Sequence, residues 1–207
     1  MFTGIVQGLG TIAAWGPGTD TRRLVVSTTA LPVERLPLGA SIAVDGVCLT
    51  VVDRAPGRFA ADVGPETLAR TTFAQRREGE LVHLEAPLAA GDPLGGHIVA
   101  GHVDGVGVVA AARPRGEALE LEIDAPPELA RYLVPKGSIT VDGVSLTINT
   151  AVGGRFGVTL IPHTLAVTHL GQLAPGARVN LEADLIAKHV DRLVAHYVRV
   201  PAPGVTP

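Results

Sequence analysis

Short runs rich in Val, Ile and Thr recur along the chain, among them Leu24–Ser27, Ser41–Val44, Val47–Val52, Arg58–Val63 and Leu81–Leu84, punctuated by glycine and proline. That pattern predicts short β-strands. Asp45-Gly46 and Asp142-Gly143 each separate two such runs. Both pairs signal hairpins, because a two-residue type I′ turn needs positive φ at both positions. Many short strands in a small span suggest closed barrels, since closure removes unpaired edges. Pro126–Leu133 and Glu66–Thr72 are predicted as short helices. The period changes at the end of the chain. Ile186, Val190, Leu193, Tyr197 and Val200 recur at spacings of three or four with Lys188, Asp191 and Arg192 between them, an amphipathic helix of about four turns.

The strand pattern repeats. Sliding the chain by 97 positions lays Ser41-Ile42-x-Val44-Asp45-Gly46-Val47-x-Leu49-Thr50 over Ser138-Ile139-x-Val141-Asp142-Gly143-Val144-x-Leu146-Thr147. The same shift lays Gly57-Arg58-Phe59 over Gly154-Arg155-Phe156, Pro65-x-Thr67-Leu68-Ala69 over Pro162-x-Thr164-Leu165-Ala166, and Val82-x-Leu84-Glu85-Ala86 over Val179-x-Leu181-Glu182-Ala183. Roughly a third of the first 91 positions match without a gap. The period suits a whole small domain rather than a solenoid unit. The boundary falls in the turn-rich stretch Gly91-Asp92-Pro93-Leu94-Gly95-Gly96, which divides the chain into residues 1–97, 98–185 and a helix over 186–200. That helix has no counterpart in the first half. Its apolar stripe must either pack back on a barrel or meet copies of itself.

Composition narrows the class. Hydrophobic residues are 46 % and charged residues 18 % of the chain, enough for a buried core, but aromatics are only 3 %, so the core must be aliphatic. The net charge of -3, two lysines (Lys136 and Lys188) and the absence of a basic run argue against nucleic acid. The single cysteine, Cys48, rules out an intrachain disulfide and fits a reducing compartment. No apolar run reaches transmembrane length, so a cytoplasmic protein without a membrane role is expected. Gly8-x-Gly10 and Gly105-x-Gly107 lack the third glycine and the strand–turn–helix setting of a dinucleotide fingerprint. His97 and His102 are near each other without a carboxylate or cysteine cluster to complete a metal site, so neither metal nor cofactor is expected.

Several motifs together are similar to those of riboflavin synthase of the α-chain type. They are Met1-Phe2-Thr3-Gly4-Ile5-Val6, Gly46-Val47-Cys48-Leu49-Thr50-Val51, Pro65-Glu66-Thr67-Leu68, Gly95-Gly96-His97-Ile98-Val99-Ala100-Gly101-His102-Val103, Asp142-Gly143-Val144-Ser145-Leu146-Thr147 and Ile161-Pro162-His163-Thr164-Leu165. The likeness spans about residues 1–200. It implies an all-β fold of two similar six-stranded antiparallel barrels in tandem plus a C-terminal helix, and a homotrimer assembled through that helix. It implies one 6,7-dimethyl-8-ribityllumazine per barrel, with transfer of a four-carbon unit between the two to give riboflavin and 5-amino-6-(ribitylamino)uracil, the last step of riboflavin biosynthesis. Association with lumazine synthase is a further expectation. The carbons and electrons come from the two substrates, so no cofactor is implied.

The same likeness assigns the ligand contacts. Gly4, Ile5 and Val6, Cys48, Leu49 and Thr50, and Gly101, His102 and Val103 are expected at the heterocycle, as are Ser145, Leu146 and Thr147. Asp62, Val63, Gly64, Pro65, Glu66 and Thr67, with their repeat equivalents Thr159, Leu160, Ile161, Pro162, His163 and Thr164, suit a ribityl chain. In some relatives a glutamate stands where this chain has His163, and the threonines read equally as helix caps. The family lysine that reaches a neighbour's ligand falls at Lys136, which also fits a solvated turn. Cys48, His102, Ser145 and Asp184 are the candidate catalytic groups.

The residues themselves support part of this. Cys48 and Thr50 lie two apart on a predicted strand and share a face, as do Ser145 and Thr147. Small polar groups facing into an apolar barrel would be expensive, so they suit a rim. Cys48 opposite Ser145 breaks the symmetry of the halves: a thiol ionises within reach of neutral pH and a serine needs help. His102 matches Ile5 across the repeat and is placed by the family at the second ligand; imidazole suits proton transfer near neutral pH. The plain alternatives are an inert buried thiol, a structural histidine, and an aspartate that merely favours a helix N-terminus. His97 reads as structural. Three rival readings remain. A lumazine- or flavin-binding antenna of the same fold needs only one good seat. An oligonucleotide-binding barrel needs basic strands and aromatic platforms that this chain lacks. A flavin reductase domain needs a nicotinamide-binding partner domain.

Overall fold

The computed structural model describes residues 1–195. The first half is a closed antiparallel barrel of β1 (Gly8–Trp15), β2 (Arg22–Ser27), β3 (Ser41–Val44), β4 (Val47–Ala55), β5 (Arg58–Val63) and β6 (Leu81–Glu85), in the order β1-β2-β5-β4-β3-β6. Alternation decides which side chains fill it. Val47, Leu49 and Val51 of β4 point inward and are buried, as are Leu24, Val26, Phe59, Val82 and Leu84 from neighbouring strands. The interior is aliphatic apart from Phe59 and Phe73, as the composition requires. The β3–β4 hairpin turns on Asp45 and Gly46 with φ of 45° and 76°, the doubly positive geometry expected of Asp-Gly.

The second half repeats the plan with one difference. Its strands are β7 (Gly105–Arg115), β8 (Ala118–Asp124), β9 (Ser138–Val141), β10 (Val144–Thr147), β11 (Thr150–Val152), β12 (Arg155–Leu160) and β13 (Arg178–Ala183), ordered β10-β9-β13-β7-β8-β12-β11. Here the strand equivalent to β4 is broken in two. In the first half the register shifts at Val51/Asp53 and the strand bulges through. At the repeat-equivalent place Ile148-Asn149 leaves the ladder, although Ile148 N–H donates to Gly137 O at 2.9 Å and Asn149 N–H to Gly157 O at 2.8 Å. The second sheet is therefore curled and closed through the chain, not through a continuous ladder, where a six-stranded closed barrel is expected from the likeness. Leu121, Ile123, Ile139, Val141, Phe156, Val158, Val179 and Leu181 fill it.

Short helices plug corresponding places. α1 (Pro65–Arg70) and α2 (Pro162–Val167) each begin with proline, whose fixed φ suits a first helical position. The segment predicted as a helix over Pro126–Leu133 is a 3₁₀ helix at Pro127–Tyr132, and the one over Glu66–Thr72 is α1 followed by a 3₁₀ turn at Thr72–Ala74. α3 (Leu185–Val194) is capped by Asp184, whose carboxylate accepts the Ile186 N–H at 2.9 Å. Lys188 pairs with Asp104 at 2.6 Å and Asp191 with Arg131, so its polar side faces the barrel. Its apolar stripe does not: Ile186, Val190 and Leu193 are 59 %, 52 % and 63 % exposed. Tyr197 and Val200 of the predicted helix lie outside the described residues. No helix among the described residues is long and apolar enough to cross a membrane.

The halves are interlocked. Phe2 forms an antiparallel bridge with Val99. Beyond it each half sends its opening residues onto the other's barrel: Gly4 O accepts the Ser145 N–H and Gly101 O accepts the Cys48 N–H, both at 2.8 Å. Buried carboxylates hold these crossings. Glu85 accepts from Thr3 N–H, Thr3 Oγ and Gly4 N–H at 2.7, 2.7 and 3.0 Å, and Glu182 accepts from Ala100 and Gly101 N–H at 2.9 and 3.0 Å. The two hairpin turns meet back to back. A Cβ on Gly46 would lie 2.7 Å from Gly143 N, and one on Gly143 would lie 2.6 Å from Gly46 N.

Candidate functional site

Because Val47, Leu49 and Val51 face inward, Cys48 and Thr50 stand on the outside of the first barrel. The crossing segment Gly101–Val103 and the start of α1 rise beside them. Cys48, the crossing segment and α1 bound a cavity of about 360 Å³ whose walls include Cys48, Glu66, Thr67, Gly101, His102 and Val103, while Thr50 is exposed and is not part of the lining. Six residues expected at a ligand thus come together, as does their polarity: a thiol, a carboxylate, a hydroxyl and an imidazole around an open mouth. Gly101 must be glycine, since its φ is +79° and a Cβ would lie 2.7 Å from Cys48 Cβ. Leu49 and Leu146 point into the barrels, so only their backbone groups can meet a ligand.

In the second half Gly4 lies against Ser145 of β10 as Gly101 lies against Cys48, and by the repeat the corresponding face takes in Thr147, Ile5, Val6 and Pro162–Thr164 at the start of α2. The two faces are not alike. Ile5, 48 % exposed, stands where the first seat has His102; His163 stands where it has Glu66. His102 therefore belongs to the first seat in this chain, whereas the likeness places it at the second ligand; the exchange of opening segments is the reason.

Other expected residues are less involved. Asp62 pairs with Arg23 on the barrel surface, Nε to Oδ1 at 2.8 Å. Val63 and Leu160 are interior. Glu66 also accepts from Arg70 Nε at 2.9 Å, and Thr159 Oγ from Asn149 Nδ2 at 2.8 Å. Lys136 lies exposed in the turn before β9 with φ of 70°, its N–H donating to Ile148 O at 2.7 Å. Asp184 caps α3.

Some participants escape sequence reasoning. Arg70, Thr71 and Asp104 complete the first cavity. Asp104 accepts the Ala183 N–H at 2.8 Å as its repeat partner Gln7 accepts the Ala86 N–H at 2.8 Å, a pairing the repeat alignment contains. His97 Nδ1 lies 2.8 Å from Ser145 Oγ. Burial holds this imidazole below its ordinary pKa, with the Asp184 charge pulling the other way.

A second polar cluster lies between the barrels. Asp45 accepts from His83 N–H at 2.8 Å, from His169 Nε2 at 3.2 Å and from an Arg76 amino group at 2.5 Å. Burial alone would raise its carboxyl; these partners outweigh burial and hold it down at about 2. Its repeat partner Asp142 accepts the Asn180 N–H at 2.7 Å, but Oδ2 has no hydrogen-bond partner among the described residues, and Arg76 stands 4.0 Å away. Burial and the Asp45 charge push Asp142 up to about 7. His83 and His169 stack with ring centres 3.8 Å apart. Burial takes His83 down to about 4, while the Asp45 contact raises His169 against burial. Asp45, His83 and His169 bring three ligand-type atoms within 4.8 Å. Those atoms are committed elsewhere: His83 Nδ1 donates to Asp142 O, Nε2 accepts the His169 N–H, and Asp45 already accepts three hydrogen bonds. A cation there would have to break these bonds, so the donor set fits a structural seam better than a metal centre.

Comparison with known proteins agrees with the twofold design. The lumazine-binding domain model matches residues 3–87 and again 100–184. A riboflavin synthase of Mycobacterium bovis is 47 % identical over 199 residues, covering 94 % of this chain and 98 % of that protein. Among solved structures, LumP complexed with 6,7-dimethyl-8-(1'-D-ribityl) lumazine superimposes with a TM-score of 0.80 at 27 % identity, and LumP complexed with riboflavin with 0.82 at 28 %. Each covers 88 % of this chain and 99 % of the other.

Proposed function

The chain belongs to the riboflavin synthase family, two lumazine-binding domains in tandem, and from that membership we infer the reaction it performs. It is a transferase that moves a four-carbon unit between two molecules of 6,7-dimethyl-8-ribityllumazine. One becomes riboflavin; the other leaves as 5-amino-6-(ribitylamino)uracil. The observation that carries this reading is the pairing of two equivalent but chemically unequal faces, Cys48 with His102 on one and Ser145 with Ile5 on the other. Two identical molecules need equivalent seats to bind and unequal ones to take opposite roles.

The residues divide the work. In the first seat Cys48, Thr50 and the crossing backbone at Gly101 face the heterocycle, Glu66 and Thr67 face the ribityl hydroxyls, and His102 moves protons. In the second, Ser145 and Thr147 face the heterocycle, with Thr164 and His163 toward the ribityl chain. Positioning two reactants supplies on the order of 7–11 kcal/mol of the barrier, more than any single proton transfer. A seat of one chain meets the complementary seat of a neighbour in a homotrimer, with Lys136 reaching across. The exposed stripe Ile186, Val190 and Leu193 supports assembly through α3. The lone Cys48 fits a reducing, cytoplasmic compartment. Association with lumazine synthase rests on kinship alone.

A second reading is an antenna protein that holds one chromophore without turnover, favoured by the likeness to LumP. Incubating the purified protein with 6,7-dimethyl-8-ribityllumazine and no cofactor separates the two. Riboflavin and the pyrimidinedione in equal amounts are expected. Stable binding of one lumazine per chain without product would overturn the synthase reading.

A further inference from the structure

His97 has a built environment that a loop histidine does not need. Gly95 and Gly96 press the chain against the crossing strand so closely that a Cβ on Gly96 would lie 2.1 Å from Thr3 O and 3.0 Å from Ser145 Cβ. The His97 N–H then donates to Thr3 O at 3.1 Å, and Thr3 is itself held by buried Glu85. The ring is thereby fixed with Nδ1 2.8 Å from Ser145 Oγ. Ser145 is half-buried on the outer face of β10, inside the second seat. Among the described residues, the charged group acting on the ring is Asp184, at the N-cap of α3. A hydroxyl and an imidazole from two separate segments meet here.

We propose that His97 is the positioning residue of the second seat, holding and polarising the Ser145 hydroxyl toward the bound heterocycle. The inference rests on the synthase reading and adds a residue and a direction to it. Neutral imidazole accepts the Ser145 O–H at Nδ1, which turns the oxygen lone pairs toward the seat. A proton leaving an acidic carbon of the heterocycle passes to Oγ as the Oγ proton passes to Nδ1. The heterocycle keeps the electron pair, and the ring carries the proton as imidazolium. Burial favours the neutral ring before the transfer, as the step requires. The first seat has a thiol at the equivalent place, which does not need such help to act as an acid or base. The two seats thus reach comparable chemistry by different means.

Turnover, KM and the pH profile of kcat are to be measured for the intact protein, His97→Ala, His97→Asn, Ser145→Ala and the double variant His97→Ala/Ser145→Ala. His97→Ala is expected to lower kcat on the order of tenfold or more with little change in KM. The double variant is expected to be no slower than the slower single one, because the residues act as one unit. His97→Asn offers an acceptor at the Nδ1 place but takes no proton; it remains slower than wild type and loses the acid limb of the kcat profile. If His97→Ala does not fold, His97→Asn decides by that limb. Multiplicative losses in the double variant, or wild-type kcat and an unchanged acid limb in His97→Asn, overturn the proposal. Absence of turnover in the unmodified protein would overturn the synthase reading, and this inference with it, before any variant is compared.

Discussion

Replacing Asp142 by asparagine tests the electrostatics of the seam between the barrels. Asparagine keeps the shape, tolerates the φ of 46° at this turn, and leaves Oδ1 to accept the Asn180 N–H. It removes the unpartnered Oδ2 and its ionisation. In the folded protein burial and the Asp45 charge raise the Asp142 carboxyl from 3.8 to about 7. A folded-state pKa above the unfolded one means that the native form holds the proton more tightly. Its contribution is complete below the unfolded value and is lost as pH rises through about 7. Three units at 1.36 kcal/mol each make the fully ionised group about 4 kcal/mol less favourable in the fold than in the open chain. Between pH 5 and 8.5 the wild type should therefore lose about 3 kcal/mol that Asp142→Asn keeps. His83, at about 4, is neutral across this window in both proteins, whereas His169 loses in the variant the Asp142 charge that helps to raise it, a change that acts in the same direction. Urea unfolding at pH 5, 7 and 8.5, at one fixed protein concentration, measures the difference. Parallel stability profiles, or a variant that loses ground as pH rises, would refute the reasoning.

Three further outcomes follow from the packing and the seats. Gly46→Ala places a Cβ 2.7 Å from Gly143 N at φ +76°, so it should cost about 2 kcal/mol or more in urea unfolding; an equally stable variant would contradict the back-to-back contact. Cys48→Ser should slow riboflavin formation on the order of tenfold or more while lumazine still binds by fluorescence titration, and unchanged turnover would remove the thiol from the mechanism. Val190→Asp, on the 52 % exposed stripe of α3, should shift sedimentation toward the monomer without unfolding the barrels; an unchanged sedimentation coefficient argues against assembly through this helix.

Much of the architecture was legible because it rests on local rules. Asp45-Gly46 and Asp142-Gly143 announce their hairpins through backbone preference alone, and alternation puts Cys48 with Thr50 and Ser145 with Thr147 on single faces. The 97-residue offset then carries each assignment from one half to the other. What stayed hidden depends on meetings between distant segments. β1 begins Gly-Leu-Gly, too rich in glycine to announce a strand, and is held by pairing with β2 and β6. The splitting of β10 from β11 falls at Asn149, where the bulged counterpart has Val52; asparagine disfavours a strand, but one such residue is too weak a signal to announce a break. His83 sits between Val82 and Leu84 and reads as one polar position in an apolar strand; its role needs His169 stacked on it from 86 residues away. The imidazole of His97 gains meaning from Ser145, 48 positions on. The reversal of His102 from the second ligand to the first seat comes from the crossing of the opening segments, which no pattern within either half encodes.

That crossing also binds the fates of the two pockets. Gly101 completes the wall beside Cys48, and Gly4 the wall beside Ser145, so prising the halves apart would strip both pockets at once. Melting should accordingly proceed as one event rather than as two separable steps. A molecule lodged beside Cys48 would protect distant β10 from denaturant as firmly as its own β4.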